Sequence, residues 1–198
     1  MSNQNVIQLF VVEDSKVVSF AINQTLAHLP DFSIIGFAYN GETAVRRILE
    51  LKPDIALIDL GLPDLNGIEV IRRVKERLKD LRVIVLTASE TVEDIVNSLS
   101  AGADGYVLKN AFSERLELAV RSVRLGAVWL DPEIAKRLLW VHQSANRGPQ
   151  VKGELTHLSQ DEVAYLGAVA DSSCEDGVCL VQPEFLQRTQ ARLLEKVN

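Results

Sequence analysis

The chain has 198 residues, of which 47% are hydrophobic and 24% charged, with a formal net charge of −6. That hydrophobic share can bury a core and excludes wholesale disorder. No apolar run approaches the roughly 18–20 residues that a membrane helix needs, and the acidic balance argues against a general nucleic-acid binder. From Val6 to about Gly126 strand-like and helix-like segments alternate. Val6–Val12 is β-branched and apolar, and Val17, Val18, Ala21, Ile22, Thr25, Leu26 and Leu29 then recur at helical spacing. Phe32–Tyr39 predicts a strand and Asn40-Gly41 a turn, before a helix marked by Ala44, Val45, Ile48 and Leu49. Ile55–Ile58 predicts a short buried strand, followed by a helix on Ile68, Ile71, Val74 and Leu78. Val83–Leu86 is the next strand, with Val92, Ile95, Val96 and Leu99 on the next helix. Tyr106–Leu108 is the last strand, and Leu116, Ala119, Val120 and Val123 line a fifth helix. Five such units with continuous apolar strands predict a five-stranded parallel sheet with helices on both faces.

After Gly126 the pattern changes. Asp131-Pro132-Glu133 predicts a helix start, with an aspartate cap and a proline in the first turn, running to about Val141. Gln143–Gly153 is polar, with Gly and Pro, and reads as a flexible linker. Ser159-x-x-Glu162 is a capping box leading into a helix over Val163–Ala170, and a second helix fits Pro183–Val197. Three parts follow: residues 1–127, a linker helix and linker over 128–150, and a small all-α region over 151–198.

The chemistry collects at strand ends. Glu13 and Asp14 follow the first strand, Asp59 the third and Lys109 the fifth, while Thr87 ends the fourth. In a parallel sheet these side chains converge on one edge. Three adjacent carboxylates repel one another unless a cation joins them. A hard divalent ion with oxygen ligands answers that need, and Mg²⁺ is the usual one. A carboxylate beside such an ion can attack phosphorus, with a lysine ammonium stabilising the transferring oxygens.

The segments Val11–Ser15 (VVEDS), Asp59–Gly67 (DLGLPDLNG), Leu86-Thr87-Ala88-Ser89 and Ala101–Lys109 (AGADGYVLK) resemble the receiver domain of two-component response regulators. The resemblance covers about residues 6–126 and implies a flavodoxin-like fold. It implies Asp59 as phospho-acceptor, with Glu13, Asp14, Asp59 and the backbone carbonyl of Gly61 holding Mg²⁺. Lys109 would contact the phosphoryl group, and Thr87 and Tyr106 would form the switch pair. The donor would be the phosphohistidine of a sensor histidine kinase. Such a protein is a cytoplasmic regulator that assists only its own phosphoryl transfer and dephosphorylation, and is not otherwise an enzyme. Glu13 departs from the more frequent aspartate, and Lys109 is followed by Asn110-Ala111, which resembles the NarL/FixJ branch. Gly61, two residues past Asp59, has no side chain with which to shield or assist water attack and leaves the phosphoryl lifetime open.

Gly126–Trp140 also resembles that branch, where it leads to a helix-turn-helix effector. Leu158-Ser159-x-x-Glu162 resembles the opening of that effector, but Ser172–Cys179 replaces its central segment and no recognition helix is evident. Residues 151–198 hold four bases against eight acids, a poor composition for displacing counterions from duplex DNA. The expected output is therefore a protein partner or self-association through a degenerate, helix-turn-helix-like region. DNA binding is the alternative, carried by the stripe of Arg188, Arg192 and Lys196. Arg72, Arg73, Lys75, Arg77, Lys79 and Arg82 read as a solvated face, and Leu118 and Leu125 fall off the core stripe of the fifth helix, where they would pack on the linker helix or form a homodimer contact. Cys174 and Cys179 form no disulfide framework and fit a reducing compartment as plain thiols.

Overall fold

The computed structural model describes residues 6–88, 91–145, 163–164 and 166–167. In chain order its elements are β1 (Ile7–Val12), α1 (Lys16–Leu26), β2 (Phe32–Ala38), α2 (Gly41–Leu51), β3 (Ile55–Ile58) and α3 (Gly67–Arg77). Then follow β4 (Arg82–Thr87), α4 (Val92–Ser100), β5 (Gly105–Leu108), α5 (Phe112–Arg124), β6 (Trp129–Leu130) and α6 (Pro132–Ala145). The strands run in the order β2-β1-β3-β4-β5-β6, every neighbouring pair parallel. The helices that connect parallel strands must cross over the sheet, and here they cover both faces.

The period-two alternation of the strands divides the core into two layers. Leu9, Val11, Leu57, Ile84, Leu86 and Val107 pack with Ile22 and Leu26 of α1 and with Leu116, Ala119, Val120 and Val123 of α5. Phe10, Val12, Ala56, Ile58, Val83, Val85, Tyr106 and Leu108 face the other way, toward buried residues of α2, α3, α4 and α6. Local chemistry starts the helices where the sequence predicts. Ser15, Asn40, Asn66 and Thr91 each accept a backbone N–H of the helix that follows. Asn40-Gly41 is thus the cap and first residue of α2 rather than a free turn. In the AGADG segment, Gly102 sits at φ +102°, a conformation that disfavours a side chain.

The sheet has six strands, not the five expected. Trp129 and Leu130 pair with Gly105 and Tyr106. Two residues are too few for any periodic signal, so this strand was hidden in the predicted linker. α6 begins at the predicted place and runs to Ala145, beyond the expected end near Val141. Ile134, Ala135 and Leu138 of α6 are buried in the same cluster as Tyr106, and α6 packs against α4. Of the expected linker, Gln143–Ala145 are helical, and the rest lies outside the described residues. Of the helix expected over Val163–Ala170, residues 163, 164, 166 and 167 are helical, and Leu166 joins the cluster that holds Ile134 and Leu138. The Ser159–Glu162 capping box, the helix Pro183–Val197, the Arg188, Arg192 and Lys196 stripe, Cys174 and Cys179 lie outside the described residues.

Two surface readings change. Val17, grouped by spacing with the apolar side of α1, is 78% exposed and shares the surface with Phe20 at 64%. Leu118 packs on the α1–α5 layer, whereas Leu125 is 80% exposed. The basic run from Arg72 to Arg82 is partly tied down. Arg72 and Arg73 pair with Glu69, Arg73 also with Glu42, and Lys75 and Arg82 converge on the buried Asp104 at 2.6 and 2.8 Å. Asp104 also accepts the N–H of Val83 at 2.9 Å, so it clamps α3, β4 and the start of β5 together. No helix among the described residues is long and apolar enough to cross a membrane.

Candidate functional site

β1 and β3 are neighbours with Val12 opposite Ile58, so the residues just past them, Glu13 and Asp59, emerge side by side. This is the point where the strand order reverses, the crevice that open parallel sheets use for ligands. The Asp59 N–H donates to the Val12 carbonyl at 2.9 Å, and the Glu13 N–H to the Ala38 carbonyl at 3.0 Å. On the other side the Lys109 N–H donates to the Thr87 carbonyl at 2.9 Å. The backbone ladder therefore fixes the root of each side chain. The β3–α3 loop folds back through Gly67, whose N–H donates to the Leu60 carbonyl at 3.0 Å. A Cβ at position 67 would lie 2.2 Å from the Asp59 carbonyl oxygen, so a side chain there would dislodge the backbone that carries Asp59. Asp64 steadies the same loop by accepting the N–H groups of Gly41 at 2.6 Å, Glu42 at 3.1 Å and Leu65 at 2.8 Å. Those bonds, that of Gly41 foremost, hold its carboxyl below the usual range.

Carboxylate oxygens of Glu13, Asp14 and Asp59 lie within 4.8 Å of one another. Glu13 and Asp59 are buried, while Asp14 stands exposed at the mouth. Lys109 reaches both buried acids, its Nζ lying 2.7 Å from Glu13 Oε2 and 2.8 Å from Asp59 Oδ2. The Ser15 N–H donates to Glu13 Oε1 at 3.1 Å. Thr87 is buried at the end of β4 and Tyr106 is fully buried on β5. Gly61 leaves the face of Asp59 open, since even a Cβ there would stand only 3.6 Å from Asp59 Oδ2. Glu13, Asp14, Asp59, Gly61, Thr87, Tyr106 and Lys109 therefore sit on one sheet edge or in the strands beneath it. Asp64 and Asp104 were not singled out, although both lie inside the motifs quoted; a carboxylate that braces a loop looks like any other loop acid in sequence.

An all-oxygen, anionic donor set of this size suits a hard divalent cation. Burial, with repulsion from Asp59 added, raises Glu13 above its ordinary pKa of 4.5, although Lys109 pulls it down. Burial would lower Lys109, but its hydrogen bonds to Asp59 and Glu13 outweigh burial and raise it above 10.5, so the ammonium persists. For Glu13 the folded state binds its proton more tightly than the unfolded state. The stability tied to that proton is present below pH 4.5 and is lost as pH rises through the raised value. Glu13→Gln should therefore raise the melting temperature of the metal-free protein at pH 7, with the gain vanishing below pH 4.5. A lower melting temperature at pH 7 would mean that the pair with Lys109 outweighs burial.

The profile of the response regulator receiver domain matches residues 9–121. The nitrate/nitrite response regulator NarL of Escherichia coli (strain K12) is 33% identical over 147 residues, which cover 74% of this chain and 68% of NarL. The DNA-binding transcriptional activator DevR/DosR of Mycobacterium tuberculosis is 32% identical over 166 residues, 83% of this chain and 75% of that protein. The crystal structure of a LuxR-family two-component response regulator from Aurantimonas superimposes with a TM-score of 0.64 at 26% identity, covering 66% of this chain and 94% of that one. With more than half of its length matched and its strand-end acids gathered as that fold requires, the chain belongs to the two-component response regulators and carries their receiver domain.

Proposed function

We propose that Asp59 is the phospho-acceptor of this receiver, taking its phosphoryl group from the phosphohistidine of a sensor histidine kinase. The observation that carries the reading is the meeting of Glu13, Asp14 and Asp59 within 4.8 Å, with Lys109 Nζ on Asp59 Oδ2. Glu13, Asp14, Asp59 and the Gly61 backbone carbonyl would hold Mg²⁺. When bound, the ion supplies positive charge against the phosphoryl oxygens. Asp59 forms the new O–P bond as the P–N bond of the donor breaks, and the electron pair of that bond stays on the imidazole nitrogen. Lys109, already held at the site, turns its ammonium from the carboxylates to the phosphoryl oxygens and stabilises the charge there. The Thr87 hydroxyl then hydrogen-bonds the phosphoryl group, and Tyr106 follows as the second member of the switch. The two arrangements must lie within a few kcal/mol for phosphorylation to shift them. The protein assists only this transfer and its own dephosphorylation, in which water attacks the acyl phosphate and releases inorganic phosphate, and works in the cytoplasm. Labelling by acetyl phosphate should need Mg²⁺ and stop with a chelator, and Asp14→Ala should shift half-saturation to higher Mg²⁺ by about tenfold or more. Metal-independent labelling would contradict the assigned ligands.

The output is proposed to pass through α6 and the C-terminal helical region to a protein partner, or to a second copy of the chain. The excess of acids over bases in residues 151–198 supports this reading. A phosphorylation-controlled DNA-binding regulator is the second reading, supported by the similarity to DevR/DosR across 83% of this chain. Binding to genomic fragments that weakens steeply with salt would establish the second.

A further inference from the structure

We propose that Asp131 is a positioning residue that couples Tyr106 to α6, so that the state of the switch is passed directly to the helix leading into the C-terminal region. The inference rests on the reading of Asp59 and Tyr106 above and extends it to a residue outside the receiver motifs. Asp131 lies between β6 and α6 and is fully buried. Its N–H donates to the Tyr106 carbonyl at 3.0 Å, extending the β5–β6 ladder by one bond. Its own carbonyl accepts the N–H groups of Ile134 at 2.9 Å and Ala135 at 3.1 Å, the first turn of α6. Its Oδ1 accepts the N–H of Glu133 at 3.2 Å and pairs with the Arg115 guanidinium of α5 at 2.5 Å. One residue thus ties the backbone of the switch strand, the base of α5 and the start of α6. Tyr106 and the α6 residues Ile134, Ala135 and Leu138 also belong to one buried cluster.

Capping alone does not account for an acid here. Serine, threonine or asparagine would satisfy the same N–H without burying a charge. Asp131 Oδ2 is buried and has no hydrogen-bond partner among the described residues, so the carboxylate is only half satisfied. What the charge adds over a neutral cap is the tie to Arg115. With α5 as a fixed anchor, a shift of β5 at Tyr106 must either carry the first turn of α6 with it or break the ladder at Asp131.

The test uses the full chain, phosphorylated with acetyl phosphate and Mg²⁺. Label at Asp59 and hydrogen exchange of the α6 amides are read separately. In the wild type, phosphorylation should change α6 exchange by about threefold or more. In Asp131→Ala and in Arg115→Gln the label should persist, while the ratio of exchange rates with and without phosphate falls toward one. Arg115→Lys, which keeps the charge, should restore the ratio. A merely structural cap would loosen α6 equally in both states and leave the ratio unchanged, and that result would overturn the proposal. So would a labelled wild type whose α6 does not respond. An unlabelled wild type would instead overturn the assignment of Asp59. If Asp131→Ala does not fold, Arg115→Gln decides alone, because that side chain is 32% exposed and its loss is tolerable.

Discussion

Asp59→Asn should leave a folded protein that takes up no phosphoryl group. The amide keeps the shape of the carboxylate but has no nucleophilic oxygen anion, and removal of a nucleophile costs on the order of 10³ or more in rate. Lys109 loses one of its two anionic partners and keeps Glu13 at 2.7 Å, so the site should not collapse. Intact mass after exposure to acetyl phosphate and Mg²⁺ checks the outcome. The exchange of α6 should no longer respond to the donor. Labelling at the wild-type level would place the acceptor elsewhere.

Lys109→Ala should have the second largest effect, and a double one. Its ammonium is the fixed positive charge that lies against both Glu13 and Asp59. Without it the rate of acyl-phosphate formation should fall by about 10²- to 10³-fold, as when one preorganised electrostatic donor is removed. Two buried carboxylates would also be left facing each other. Removing one partner from a buried ion pair costs about 3 kcal/mol, so the metal-free variant should unfold at lower denaturant. Mg²⁺ should return much of that loss by binding only the folded state. Lys109→Arg keeps the charge and should recover stability better than rate, because a planar guanidinium cannot reproduce the position of a point charge. Denaturation with and without Mg²⁺, beside single-turnover labelling, separates the two effects. Equal stability of Lys109→Ala and wild type without metal would show that the ion pairs contribute nothing.

Much of this arrangement was legible from the residues alone. The β1, β3, β4 and β5 runs are continuous apolar stretches, and a chain that alternates them with amphipathic helices has few topologies open to it. Glu13, Asp59, Thr87 and Lys109 declared themselves because each ends or follows a strand, and parallel strands bring their ends together. The misses have physical causes. β6 is two residues long, and pairing with β5, not its own pattern, makes it a strand. Val17 follows the helical repeat of α1, yet it falls outside the arc that meets the sheet, which Ile22 and Leu26 occupy. The basic run from Arg72 to Arg82 looks uniform in sequence, but it spans the end of α3 and the start of β4, and Lys75 and Arg82 are drawn to Asp104, a residue more than 20 positions downstream. The sequence marks Asp131 as a cap, and its Oδ1 accepts the Glu133 N–H, while its tie to Arg115 depends on how α5 lies against the β6–α6 junction, which spacing does not encode.

The central claim is that Asp59 carries the phosphoryl group. The direct measurement is peptide mapping of the wild-type chain after acetyl phosphate and Mg²⁺, with the acyl phosphate trapped by borohydride reduction. One modified residue is predicted, Asp59, absent when the metal is chelated. Modification at another acid, or none at Asp59 with Mg²⁺ present, would contradict the account.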